Sequence, residues 1–200
     1  MTAVKICGLT RAEDALAAAA FGADFVGFVL WSNSPRATTV EHVRTMVAAL
    51  PATVTPVGVF VDPTVDEVLA AADAGIRVAQ VHSDAPTFLR GVTIPVVRAV
   101  HLAPVGITPE VPDELVLLDA YDPVAKGGTG RTIDWERAAR VAQRRRVILA
   151  GGLTPSNVQQ AIVRVKPYAV DVASGVESSP GIKDHALIQA FITAARSAAA

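Results

Sequence analysis

The chain has 200 residues and a mass of 20.8 kDa, which suits one ordinary domain or one compact barrel and is too short for two full-sized domains. Apolar residues make up 51% and charged residues 18%, a balance that excludes a disordered chain and allows roughly 70% of the unfolded surface to be buried. With 18 Lys and Arg against 19 Asp and Glu, the formal net charge of -1 gives no field for nucleic acid or an anionic membrane, so neither is expected as a partner and any anionic ligand must be held locally.

Short apolar or β-branched runs recur along the chain at Val4–Cys7, Phe25–Leu30, Val57–Val61, Val78–His82, Pro95–Val100, Leu115–Asp119, Val147–Ala150 and Ala169–Ser174. They lack clean polar alternation, as strands covered on both faces of a parallel sheet do. Between them lie helix signals. Thr10 with Glu13, Thr38 with Glu41 and Thr64 with Glu67 each fit a capping box, and Thr154 before Pro155 fits an N-cap with proline at the first helical position. Gly22, Gly75 and Gly91 stand where helices should stop. The fifth unit breaks the pattern, because Pro104, Gly106, Pro109 and Pro112 leave room for a loop or one short turn. The Ala-rich end, Ala194–Ala200, extends or frays from the last helix.

Eight strands alternating with helices predict a single (β/α)8 barrel of the TIM type over residues 1–200, with a degenerate fifth helix. An open, doubly wound sheet carries the same alternation, and only the strand count favours closure. No apolar stretch reaches the roughly 18 residues of a membrane span. The N-terminus has no apolar signal core, and a lone cysteine cannot form an internal disulfide, so a cytoplasmic location is expected.

In such a barrel the active face lies at the C-terminal ends of the strands. Those ends present Cys7, His82, Asp119, Gly151 with Gly152, and Ser174 with Gly175. The glycine loops after the seventh and eighth strands suit a phosphate, since glycine lets the backbone approach an oxyanion and helix amides favour negative charge. A tight turn alone explains one glycine pair equally well; two such loops in these places favour the phosphate. Gly127-Gly128-Thr129-Gly130 follows the sixth strand and reads either as a ligand-covering loop or as a plain connector. Taken alone, Cys7 reads more readily as a buried small hydrophobe than as a reactive thiol, and Asp119 as a helix cap; their joint place on the rim counts against both readings. Arg36 in the turn-prone Ser32–Arg36 segment is a fork able to take a carboxylate, or a solvated arginine. His82 is a ligand donor or a packing residue. His42, His101 and His185 have no ligand spacing, so no metal is expected. Arg144–Arg146, before the seventh strand, belongs to the opposite face as a solvated basic turn.

Taken together, Val4-Lys5-Ile6-Cys7-Gly8-Leu9-Thr10, Phe25-Val26-Gly27-Phe28 through Pro35-Arg36, Val57-Gly58-Val59-Phe60, Leu117-Leu118-Asp119, Gly127–Gly130 with Asp134-Trp135, Ala150-Gly151-Gly152-Leu153 and Val170–Glu177 resemble the phosphoribosylanthranilate isomerase family over nearly the whole length. The resemblance implies a cofactor-free Amadori rearrangement in tryptophan biosynthesis, with a small phosphosugar as substrate. It further implies Asp119 as general acid, Cys7 as general base, Arg36 on the anthranilate carboxylate, His82 as a neighbour of the substrate, and Gly128, Gly130, Gly151, Gly152, Ser174 and Gly175 as substrate-binding residues. Two departures stand out: the loop Leu30–Arg36 holds few basic residues, and the fifth unit is proline-rich. The rival readings are the related histidine-pathway isomerase, which carries an aspartate where this chain has Cys7, and a silent barrel that only binds a phosphorylated metabolite or a protein. The residues are compatible with a monomer or a homodimer.

Overall fold

The computed structural model describes residues 1–83, 91–102, 115–120 and 133–198. Eight parallel strands, β1 (Ala3–Ile6), β2 (Phe25–Val29), β3 (Thr55–Val61), β4 (Val78–His82), β5 (Val96–Leu102), β6 (Leu115–Ala120), β7 (Arg146–Leu149) and β8 (Ala169–Val172), pair in chain order and close into a barrel. Closure is made by β1 on β8, which aligns Lys5 with Asp171 and Ile6 with Val172. The open-sheet alternative is thereby excluded.

Alternate strand residues feed two apolar layers, which is why the runs read as continuous. Val97, Ala99, Leu117, Ile148, Ala150 and Ala169 pack together inside the barrel. Val4, Ile6, Val26, Phe28, Leu118, Leu149 and Val170 face outward onto a larger core shared with the helices. Fully burying each of the larger apolar side chains contributes about 1.5–3 kcal/mol, so this outer layer is the main adhesive between strands and helices.

Among the described residues the helices are α1 (Ala12–Ala20), α2 (Val40–Ala48), α3 (Val65–Asp73), α4 (Trp135–Ala142), α5 (Val158–Val165) and α6 (His185–Ser197). Their starts correct three of the sequence expectations. Only Thr64 and Glu67 form the full capping box, with Thr64 N donating to Glu67 Oε2 at 2.7 Å and Glu67 N to Thr64 Oγ1 at 3.2 Å. At α1 the N-cap is Arg11, because the Thr10 hydroxyl is drawn away to donate to the Gly181 carbonyl at 2.6 Å. At α2 the cap is Thr39, one residue later than expected, since Thr38 N still bonds the Val29 carbonyl beside β2. Before α5, Pro155 to Asn157 form a turn, and the Thr154 hydroxyl pairs with Ser156 Oγ.

Gly22 and Gly75 do end α1 and α3 with positive φ, and Gly91 shares that backbone region. Of residues 101–112, where the fifth unit is expected to degenerate, His101 and Leu102 still belong to β5; the rest of that stretch, like the Gly127–Gly130 loop and residues 199–200 beyond α6, lies outside the described residues. The last predicted strand is shorter than expected: β8 stops at Val172, and Ser174–Val176 form a 3-10 turn leading into a hairpin of β9 (Glu177–Ser179) and β10 (Ile182–Lys183). At the opposite end Arg144 and Arg146 are exposed, as expected of a solvated basic turn, but Arg146 already begins β7 and its guanidinium also stacks on the Tyr168 ring, 3.8 Å from the centroid. Among the described residues no helix is long and apolar enough to cross a membrane.

Candidate active site

The C-terminal strand ends enclose one cavity, and most of the residues singled out from the sequence border it. Cys7 after β1, Arg36 in the loop after β2, His82 at the end of β4, Asp119 on β6, Gly151 and Gly152 after β7, and Ser174 after β8 all line it. Gly128 and Gly130 lie outside the described residues. Gly175 is not among the lining residues described. A Cβ at this position would stand 2.0 Å from the Leu153 carbonyl oxygen, so glycine is needed there to let the loops after β7 and β8 touch.

The cavity has two chemical ends. Trp31, Val29, Val59 and Val61 give the β2–β3 side an apolar wall, next to Arg36. On the β7–β8 side the lining is the backbone of Gly151 and Gly152, both with positive φ, and Ser174. Asn157 braces the first of these loops, accepting from Thr154 N at 2.8 Å and donating to the Gly152 carbonyl at 2.9 Å. One end therefore suits a flat apolar group bearing an anion, the other a compact oxyanion, with a thiol and a carboxyl between them.

Arg36 does form the fork its residue type suggested, but onto a protein carboxylate. Nε donates to Glu177 Oε1 at 2.8 Å and Nη2 to Oε2 at 2.7 Å. The same carboxylate accepts from Lys183 Nζ at 2.8 Å, and Lys183 also donates to the Ala173 carbonyl at 3.0 Å. Hydrogen bonding to Glu177 holds the Arg36 guanidinium above its ordinary range. Burial opposes ionisation of Glu177, yet the two cations outweigh it and its carboxyl is held below the usual range. Burial is the stronger influence on Lys183, whose ammonium is lowered.

On β4, the His82 and Gln80 side chains meet at 3.0 Å between their Nε2 atoms, and the His82 and His101 rings lie 5.7 Å apart. Beneath Cys7, Lys5 Nζ donates to Asp171 Oδ1 at 3.1 Å, and both side chains are buried. Desolvation pushes the Cys7 thiol up, against the pull of Lys5. Desolvation works against the Lys5 ammonium too, but Asp171 and Cys7 outweigh it and raise Lys5.

Sequence reasoning gave Lys5, Asp171, Glu177 and Lys183 no role. The first two carried a signal, being charges inside otherwise apolar strand runs; the last two, in a short hairpin, carried none. Among the described residues no three His, Cys, Asp or Glu side chains gather as a metal site requires.

Comparison with known proteins gives a consistent result. Residues 4–194 match the family model described as N-(5'-phosphoribosyl)anthranilate (PRA) isomerase. The chain is 44% identical over 201 residues to the N-(5'-phosphoribosyl)anthranilate isomerase of Geobacter sp. (strain M21), covering 98% of each chain. The phosphoribosyl anthranilate isomerase from Thermus thermophilus superimposes with a TM-score of 0.87 at 38% identity, over 98% of this chain and 99% of that one. A phosphoribosyl anthranilate isomerase in complex with reduced 1-(o-carboxyphenylamino)-1-deoxyribulose 5-phosphate superimposes with a TM-score of 0.83 at 36% identity, over 98% and 100%.

Proposed function

Because this chain belongs to the N-(5'-phosphoribosyl)anthranilate isomerase family, aldose–ketose isomerases of tryptophan biosynthesis, we propose that it carries out the rearrangement with Asp119 as general acid and Cys7 as general base. Asp119 gives its proton to the furanose ring oxygen of N-(5-phosphoribosyl)anthranilate as the bond from that oxygen to carbon one breaks. The anthranilate nitrogen supplies the electron pair and becomes a protonated Schiff base. Cys7, as thiolate, takes the proton from carbon two. The electrons left behind form an enolamine. It takes up a proton at carbon one as its carbon-two hydroxyl loses one and so becomes the 2-ketose, the two proton exchanges returning Cys7 and Asp119 to their starting states. Nothing is oxidised or reduced overall, so the reaction needs no redox cofactor.

The observation that carries this reading is the convergence of Cys7, Asp119 and Arg36 on one cavity from β1, β6 and the loop after β2. Arg36 takes the anthranilate carboxylate beside the apolar wall, and Trp31, Val59 and Val61 suit the aromatic ring. His82 neighbours the sugar. The phosphate goes to Gly151, Gly152, Ser174 and the amide of Gly175, with Gly128 and Gly130 contributing from the loop after β6. Each positioned proton transfer contributes about 10² to 10⁴ in rate, so losing either group is a large effect.

The test is turnover of freshly generated substrate, followed by loss of its fluorescence. Cys7→Ala and Asp119→Asn should each lower kcat more than about a hundredfold with the fold intact. Near-normal turnover in both would end the assignment of acid and base.

A further inference from the structure

Cys7 borders a second, deeper group that the reaction as written above does not use. Lys5 and Asp171 are brought side by side by the β1–β8 register, 166 positions apart in sequence, and their ion pair at 3.1 Å is buried at the cavity, which Asp171 borders and Lys5 does not. A pair in this position is a poor source of stability. The cost of taking two charges out of water consumes most of their attraction, and apolar residues of similar volume are often as good or better. The six neighbouring inward positions of the barrel show that choice, being Val97, Ala99, Leu117, Ile148, Ala150 and Ala169.

The adjoining strand is shaped around the pair and the thiol together. A Cβ on Gly27 of β2 would stand 2.8 Å from Cys7 Sγ and 3.1 Å from Lys5 Nζ. Sulfur and ammonium thus border the same missing methyl group, within the roughly 4–6 Å over which an opposite charge favours ionisation.

We propose that Lys5 is a positioning residue for the Cys7 thiolate, a fixed positive charge beneath the sulfur, and that Asp171 holds Lys5 there while its own negative charge opposes the thiolate. This rests on Cys7 being the base. The other groups facing Cys7 are Lys183 from β10 and Arg36 from the loop after β2, both bonded to Glu177, with Asp119 and His82 across the cavity. Lys5, Lys183 and Arg36 favour the thiolate, and Asp171 disfavours it. The arrangement keeps a buried thiol within reach of ionisation without leaving an unpaired cation in the empty site.

Two substitutions separate this role from a merely structural one, because they act on the thiol in opposite directions. Cys7 is the chain's single cysteine, so the pH dependence of alkylation by iodoacetamide reads it alone. At neutral pH, Lys5→Met should slow alkylation about tenfold or more, Asp171→Asn should speed it about tenfold, and Lys5→Arg should stay near the native rate. In turnover, Lys5→Met should lower kcat and leave KM nearly unchanged. A structural brace predicts that the two neutralising variants loosen the barrel together, with no opposed shift.

Native alkylation in Lys5→Met, or a shift of the same sign in Asp171→Asn, overturns the proposal. Should Lys5→Met not fold, Asp171→Asn decides, and alkylation no faster than native overturns it. Failure of the base assignment is read separately: full turnover by Cys7→Ala removes the base, whatever the thiol titrations give.

Discussion

Arg36 and Glu177 meet through two parallel hydrogen bonds, 2.8 Å and 2.7 Å long, which tie the loop after β2 to the hairpin after β8 across the mouth of the barrel. The side chains are 13% and 5% exposed, so the pair is screened from water while the rest of the guanidinium edge is left for a further acceptor. Glu177 is in this sense the mount on which Arg36 is held, and Lys183 fixes the mount from behind.

Glu177→Gln should therefore act through Arg36. Removing the carboxylate leaves two buried cations facing a neutral amide, and the guanidinium loses its fixed angle. The expected result is a roughly ten- to hundredfold fall in kcat/KM, mostly through KM, from misplacement of a positioning group. Arg36→Ala should raise KM at least as much. Steady-state kinetics on both variants checks this, and an unchanged KM in Arg36→Ala would remove Arg36 from the substrate.

Gly175→Ala tests the contact between the two glycine loops. The added methyl meets the Leu153 carbonyl oxygen at 2.0 Å, which neither backbone can tolerate without moving. Overpacking of this kind costs about 1–3 kcal/mol and should appear as a lower urea midpoint. Displacement of the loop after β7 should also weaken inhibition by a phosphate analogue.

Gly152→Val addresses the proposed phosphate end directly. With φ at 67°, a β-branched residue there is strained by roughly 1–2 kcal/mol, and the position itself lines the cavity. Inhibition by inorganic phosphate should weaken about tenfold or more, as when one hydrogen bond to a charged group is lost. Unaltered inhibition would move the phosphate elsewhere.

Acid should destabilise the fold through two buried carboxyls. Asp14 is fully buried; burial works against its ionisation, but hydrogen bonds from Arg11, His185 and the Lys183 amide prevail and hold its carboxyl below the usual range. Glu177 is held low as well. Both groups bind protons more weakly folded than unfolded, so their stabilisation is complete above the unfolded carboxyl range near pH ~4 and is lost as pH falls through the lower folded values. Urea midpoints measured across the acid range should fall with pH. Asp14→Asn should flatten that dependence and cost about 1–3 kcal/mol at neutral pH.

The strands were legible because a parallel barrel buries both faces, which leaves continuous apolar runs in the sequence. Val78–His82 and the cores of the other seven runs fall where the pattern puts them. The cavity residues were legible by position, since the C-terminal ends of barrel strands form one rim and Cys7, His82, Asp119, Gly151, Gly152 and Ser174 stand at or just past such ends. Helix starts were less legible. Thr10, Thr38 and Thr64 offer the same local pattern, and only the competing partners at Gly181 and Val29 decide which of them caps a helix.

By itself the order of residues determined the alternation of strand and helix, the set of groups at the rim and the family to which they conform, because these depend on local spacing and on which side chains avoid water. Closure of β1 on β8 decided the rest. It put Lys5 against Asp171 and carried the β9–β10 hairpin to Arg36, so Lys5 and Arg36 were each matched to a partner more than a hundred residues away. Such partners are chosen by register and burial in three dimensions, where a charge deprived of water must find its counterion wherever the fold delivers one.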